Sequence, residues 1–223
     1  MRAKTKAWIL VGITVAACLW LYYYPVPYGL AVIIVGALPW LAVFIVARSH
    51  GLYRLCGRKS SCNPALTPVW LFPGLVLSIR AGYDMHILEW HAMVAIAVVI
   101  SACFTAASVR VDTYLRGSKV TIAIVFLLSI FYGYGTAMIV NGLLDNSPSK
   151  QFEVTVERKY VDCGGRGGCI YNLRLAPWGG FAETSEIGVP HAFYDRVASG
   201  GNVCVSLRPG TLHIPWYTMN FRC

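Results

Sequence analysis

The stretch Val120–Leu144, VTIAIVFLLSIFYGYGTAMIVNGLL, runs 25 residues without Asp, Glu, Lys or Arg. It is followed at once by the polar DNSPSK (145–150) and then by the alternating FEVTVE (152–157). A helix needs roughly 20 apolar residues to cross a hydrocarbon core of about 30 Å. The passage therefore reads as a last membrane helix handing over to a half-buried strand, whose apolar and polar residues alternate with period two. Two parts are expected: a membrane α-helical bundle, then a small disulfide-stapled all-β extramembrane domain.

Three more charge-free stretches precede it: Ala7–Ala47, Ser60–Ile79 and Trp90–Val109. The first is long enough to cross twice, and Pro25-Val26-Pro27 divides it, since two prolines in three residues cannot continue a helix. Tyr22, Tyr23, Tyr24 and Tyr28 flank that turn, where amphipathic rings favour the lipid–water boundary. The expected spans are about 7–24, 28–47, 64–80, 91–108 and 120–140, with 145–151 as linker and 152–223 as the β-domain. The third span is short and holds Pro68 and Pro73, so the sequence permits five crossings, or four if this segment is re-entrant.

Charge weighs toward five. Of the net +9, residues 1–144 supply 11 Lys/Arg against Asp84, Glu89 and Asp112, while residues 145–223 hold eight basic against seven acidic groups. The basic excess sits in Arg2, Lys4 and Lys6, in Arg48, Arg54, Arg58 and Lys59, and in Arg110, Arg116 and Lys119. If 64–80 crosses, all three clusters share one side and only Arg80 faces the other. The positive-inside rule then places the N-terminus in the cytoplasm and the C-terminal domain outside. A bacterial inner-membrane protein with a periplasmic domain is the expected location. The excess is a topology signal rather than the concentrated basic face that nucleic acid requires, so nucleic-acid binding is excluded. Val15-Ala16-Ala17-Cys18 resembles a bacterial lipobox, yet the apolar run continues through Leu19-Trp20-Leu21, so an uncleaved first helix is expected.

In the β-domain, strands are expected at 152–157, 169–175, 181–189, 203–207 and 212–221, with a helical turn or two over 190–198. That pattern fits a small, partly open barrel or sandwich. About 75 residues is near the lower limit for a self-sufficient core, so staples are needed. Cys163, Cys169, Cys204 and Cys223 supply an even set; of three connectivities, Cys163–Cys169 and Cys204–Cys223 are preferred. A zinc site would be expected to show C-x2-C pairs, which are lacking. Cys56 and Cys62 read as reduced thiols, and Cys18 and Cys103 as small apolar groups within helices.

Few residues point to chemistry. Arg80, Asp84, His86, Glu89 and His91 cluster in sequence; on a helix His86 and Glu89 would share a face and Asp84 and His91 would approach it. The simpler reading is a solvated interfacial loop. Within the spans Asn141 is the strongest polar group, and Gly133 and Gly135 mark close helix packing. No nucleophile elbow, phosphate loop or dinucleotide fingerprint occurs. No catalytic residue, metal or cofactor is assigned. Trp178, Phe181, His213, Pro215, Trp216 and Tyr217 form a candidate contact patch, because Trp and Tyr dominate binding hot spots; the competing reading is that these rings fill a small core. The leading expectation is a non-enzymatic protein whose β-domain binds an envelope partner, with the lipid bilayer as its other partner. A thiol–disulfide enzyme or redox sensor using Cys163/Cys169 is the alternative, and a transporter or channel accessory the third. The sequence does not set the oligomeric state.

Overall fold

A computed structural model describes residues 2–57, 64–164, 168–179, 184–221 and 223. The chain forms two compact units. One comprises Met1–Met85, Glu89–Asp145 and Thr211–Ile214, and the other His86–Leu88, Asn146–Gly210 and Pro215–Cys223.

The first unit is helical: α1 (Arg2–Tyr23), α2 (Tyr28–Arg48), α3 (Thr67–Asp84), α4 (Trp90–Val111), the single turn α5 (Thr113–Arg116) and α6 (Lys119–Leu143). Among the described residues, four helices are long and apolar enough to cross a membrane: α1, α2, α4 and α6. The third, α3, has 18 residues and carries Arg80 and Asp84 in its last turns. It is nonetheless one unbroken helix about 27 Å long at the usual rise per residue. Pro68 lies in its first turn, where a missing N–H costs nothing, and Pro73 is buried within it.

Packing fixes the direction of each helix. One apolar cluster joins Ala7 near the start of α1, Val69 and Trp70 at the start of α3, and Val125 in α6. The same cluster takes Ala42, Val43 and Val46 late in α2 and Phe104 in α4. At the other end Arg80 of α3 donates to the carbonyl of Tyr22 in α1. Thus α1, α3 and α6 run one way, and α2 and α4 the other. The described basic residues Lys4, Lys6, Arg48, Arg54, Arg110, Arg116 and Lys119 consequently share one end of this unit, while Arg58 and Lys59 lie outside the described residues.

Close helix approach along α6 rests on glycines. A Cβ on Gly133 would strike the Ala97 carbonyl and the Ser101 hydroxyl of α4. One on Gly135 would strike Leu77 and the Ser78 amide of α3, and one on Gly142 would strike Met85. In lipid, helices associate through such packing and through hydrogen bonds rather than by a hydrophobic drive. Those bonds are present: the Ser101 hydroxyl donates to the Ser129 carbonyl (2.9 Å), and Ser78 donates to the carbonyl of Phe131. Tyr132 accepts from Trp40 Nε1 (3.0 Å) and donates to the Gly36 carbonyl (2.9 Å), tying α2 to α6.

The second unit is one six-stranded antiparallel sheet, ordered β1-β6-β5-β2-β3-β4. The strands are β1 (His86–Ile87), β2 (Lys150–Gly164), β3 (Gly168–Leu175), β4 (Ser185–Val189), β5 (Asn202–Arg208) and β6 (Trp216–Asn220), with the helix α7 (His191–Arg196) between β4 and β5. The expectation of an all-β domain is corrected here, because α7 packs Phe193 and Tyr194 onto the sheet's core. The long strand β2 pairs with β5 through its first half and with β3 through its second, across an irregularity between Val156 and Arg158. Such an irregularity bends a strand and increases its twist. The core lies on one face, where Val154, Val156, Leu173, Leu175, Ile187, Val189, Val203 and Val205 recur at alternate positions.

Replacing Gly135 by Ala should destabilise the protein by about 1–3 kcal/mol, the usual cost of overpacking a filled interface. Gly36→Ala, where an added Cβ meets nothing within 4 Å, should be nearly silent. Thermal unfolding of the two variants in detergent checks this.

Candidate functional site

The feature that stands out in the sheet unit is the far half of the β2–β3 hairpin. From Val161 to Gly164, and from Gly168 to Ile170, every described residue is exposed, whereas Leu173 and Leu175 further along β3 are buried. The arm therefore extends beyond the core. Cys163 and Cys169 sit directly opposite each other in its ladder, with Cα atoms 4.1 Å apart, and are bonded. Between them the register runs Val161 to Tyr171 and Asp162 to Ile170. Directly opposed residues share a face, so Val161 and Tyr171 lie on the side that continues the core, while Ile170 lies on the other, over Gly188. Val161 is 42 % exposed and Ile170 60 %. The base of the arm is held by Lys159, whose ammonium lies 4.1 Å from the centre of the Tyr194 ring and donates to the carbonyls of Tyr194 and Val197 at the end of α7.

The second pair, Cys204 and Cys223, is also bonded, with Cα atoms 4.9 Å apart, and ties β5 to the chain end. Both pairings match the preferred connectivity.

The candidate aromatic patch divides. Trp178 and Tyr217 belong to the core, with ring centres 5.2 Å apart, and Phe152 lies 5.7 Å from Trp178. Trp216 is buried too, with the Arg208 guanidinium over its ring. Trp178 and Tyr217 fill the interior, as the competing reading held, whereas Trp216, next to Tyr217 in β6, faces the other side of the sheet. His213 is exposed, at a left-handed φ of 59°, and belongs to the helical unit. Phe181 lies outside the described residues. Burial pushes the Tyr217 hydroxyl up to about 12, and it lowers the pKa of His86, whose ring stacks on Tyr217 at 5.2 Å.

The polar cluster around His86 does not assemble on one helix face. Asp84 is bound to Arg80 within α3 (2.8 Å), and His86 is a strand residue paired with Tyr217. Glu89 and His91 lie at the start of α4. Among the described residues no group of three or more His, Cys, Asp or Glu is placed to hold a metal ion.

Two polar residues matter more than their sequence context showed. Asn141, 1 % exposed near the end of α6, holds the segment Thr211–Ile214 within the helical unit. Its amide donates to the Ile214 carbonyl (2.9 Å), its side-chain oxygen accepts from Leu212 N (3.0 Å), and its backbone carbonyl accepts from Thr211 N (3.1 Å). Asp112, 2 % exposed at the opposite end, accepts from Leu55 N (2.8 Å) and from Tyr114 N (2.9 Å). It thereby docks the loop after α2 onto the start of α5. Beside it, burial and then the Asp112 charge push the Cys56 thiol up to about 11. Cys62 lies outside the described residues.

Compared with protein-family models, characterised proteins and solved structures, the chain matches none.

Loop-closure entropy ranks the staples. Removing Cys204–Cys223 by a double Ser substitution should cost about 3 kcal/mol, and removing the shorter Cys163–Cys169 loop about 2 kcal/mol, in chemical denaturation. Cys56 should resist maleimide at neutral pH in the folded protein. Its thiolate fraction is about a hundredfold below that of an ordinary thiol, since each pKa unit is tenfold. Labelling should appear on unfolding, as read by mass.

Proposed function

We propose that this chain is a non-enzymatic bacterial inner-membrane protein that crosses five times, and that its periplasmic sheet unit binds a protein partner through the β2–β3 arm. The observation that carries the binding reading is the exposed, disulfide-closed arm itself. The hairpin projects past its core and bears Val161 and Ile170 on its two faces, and its cross-link holds the exposed end in order. Pre-ordering lowers the entropy lost when such an element docks, and exposed apolar residues on a rigid strand pair suit a partner's surface.

The alternation of α1, α2, α3, α4 and α6 supports five crossings. It gathers the basic clusters at one end of the helical unit, which the positive-inside rule assigns to the cytoplasm. The chain leaves that unit at Met85 and Asp145, after the ends of α3 and α6 that point the other way. Two disulfides in the sheet unit fit an oxidising compartment on that side.

The redox alternative retains one specific observation: Cys163 and Cys169 are both exposed, so a partner thiolate has access to either sulfur. Attack would form a mixed disulfide and release the other cysteine as a thiolate. The sequence also allows Cys163/Cys169 to pass electrons to Cys56/Cys62, but the raised pKa of Cys56 weighs against that relay. A transport role draws little support, because the buried carboxylates among the described residues, Asp112 and Asp145, lie past the ends of the long helices.

A photo-crosslinking residue at Ile170 or Val161 should yield a discrete adduct in intact cells that survives reductant, whereas one at buried Val203 should not. Absence of any adduct at either arm position would contradict arm-mediated binding. A Cys169→Ser variant that accumulates a reductant-sensitive adduct through Cys163 would move the redox reading ahead.

A further inference from the structure

A cavity of about 310 Å³ opens at the basic end of the helical unit, between the first half of α1 and the end of α2. Ile9, Leu10 and Ile13 of α1 and Ile45 of α2 line it, with Lys6 and Tyr53 among its polar residues. Ile9 and Ile13 are more than half exposed, so the cavity is a groove on the outer face of helices long and apolar enough to lie in lipid. We propose that this groove holds one acyl chain of an anionic phospholipid, with the headgroup phosphate at Lys6.

Three observations specify that occupant. At 310 Å³ the space is at the lower end of small-molecule sites, about 300–1,000 Å³, which suits part of one chain and not a whole lipid. The charge at this end is one-sided. Lys4, Lys6, Arg48, Arg54, Arg110, Arg116 and Lys119 gather there, and the local carboxylate, Asp112, is already engaged by two backbone N–H groups. Several of the cations are occupied: Arg54 lies over Tyr114, Arg48 over Phe44, and Arg116 donates to the carbonyls of Val109 and Arg110. Lys6, at the groove itself, has no anion or ring partner among the described residues. An apolar channel with an unpaired ammonium beside it matches an acyl chain joined to a phosphate. A basic residue near an anionic lipid surface is worth about fivefold in affinity.

The proposal rests on α1 and α2 lying in a bilayer but not on which way the protein faces. A nanodisc exposes both leaflets, so a wrong orientation would leave the test unaffected. The full-length protein is reconstituted with phosphatidylglycerol or phosphatidylcholine of identical chains, and retained lipid is counted by native mass spectrometry. The variants are Lys6→Gln, Ile13→Trp to fill the groove, and Ile33→Trp as a lipid-facing control on α2, with thermal melting as the check on folding. The wild type should retain phosphatidylglycerol preferentially. Lys6→Gln should reduce that preference about fivefold, Ile13→Trp should reduce retention of both lipids, and Ile33→Trp should change neither. Equal retention of the two lipids by all four proteins means annular lipid only and overturns the proposal. So does a response to Lys6→Gln with none to Ile13→Trp, which would be a headgroup contact without a chain site. Should Ile13→Trp fail to fold, Ile9→Trp on the same groove wall takes its place, with the same outcomes expected.

Discussion

The helical unit depends on how closely α3 and α4 approach α6, and that approach is set by glycine. Gly133 admits the α4 backbone at Ala97, Gly135 admits the α3 backbone at Leu77 and Ser78, and Gly142 admits Met85. Lipid offers no hydrophobic drive for such contacts, so their strength comes from dispersion and short hydrogen bonds, both of which decay quickly with distance. Because α3 meets α6 in step along its length, from Gly74 against Tyr132 to Met85 against Gly142, it runs parallel to α6 as a full member of the bundle. That single relationship turns four apolar helices plus an ambiguous segment into an alternating set of five.

Several consequences follow from the alternation. The basic loops gather at one end, where Asp112 locks the loop after α2 to the turn before α6. At the other end Asn141 satisfies its side chain on Thr211–Ile214, a segment that separates β5 from β6 in sequence. A buried amide left unpaired would cost about 1–3 kcal/mol, so this bonding is a specific constraint and not a surface convenience. The sheet unit, for its part, places the Trp178 and Tyr217 rings in its own interior. What it presents outward is the stapled β2–β3 arm, which is why binding through that arm is preferred to binding through the Trp178–Tyr217 cluster.

Much of this was legible in the residues. The charge-free runs gave the long helices because desolvating Lys, Arg, Asp or Glu is so costly that their absence is a strong signal. Period-two alternation marked the start of β2 and most of β3, and the preferred cysteine pairings, one closing a Gly-rich loop and one tying adjacent strands, are the ones present. The glycine contacts of α6 were visible as Gly133 and Gly135, though their partners were not. Other features had no local signature. His86–Ile87 is too short to show alternation and becomes a strand only by pairing with β6. The inward placement of Trp178 and Tyr217 is decided by how they pack against neighbouring strands. The bonding of Asn141 and Asp112 joins residues 57 and more than 70 positions apart, beyond the reach of any spacing rule. The projection of the arm beyond the core is likewise a property of the assembled sheet.

Whether α3 crosses is decided most directly by labelling single reporter cysteines in intact cells with a membrane-impermeant maleimide. Lys150→Cys reports the side of the sheet unit, and Lys119→Cys the side of the basic turn before α6. Five crossings predict that Lys150→Cys is labelled from outside, while Lys119→Cys is labelled only after permeabilisation. The reverse pattern, with Lys4→Cys labelled only after permeabilisation, would show α3 turning back within the membrane and would place the sheet unit, with its disulfides and its arm, in the cytoplasm.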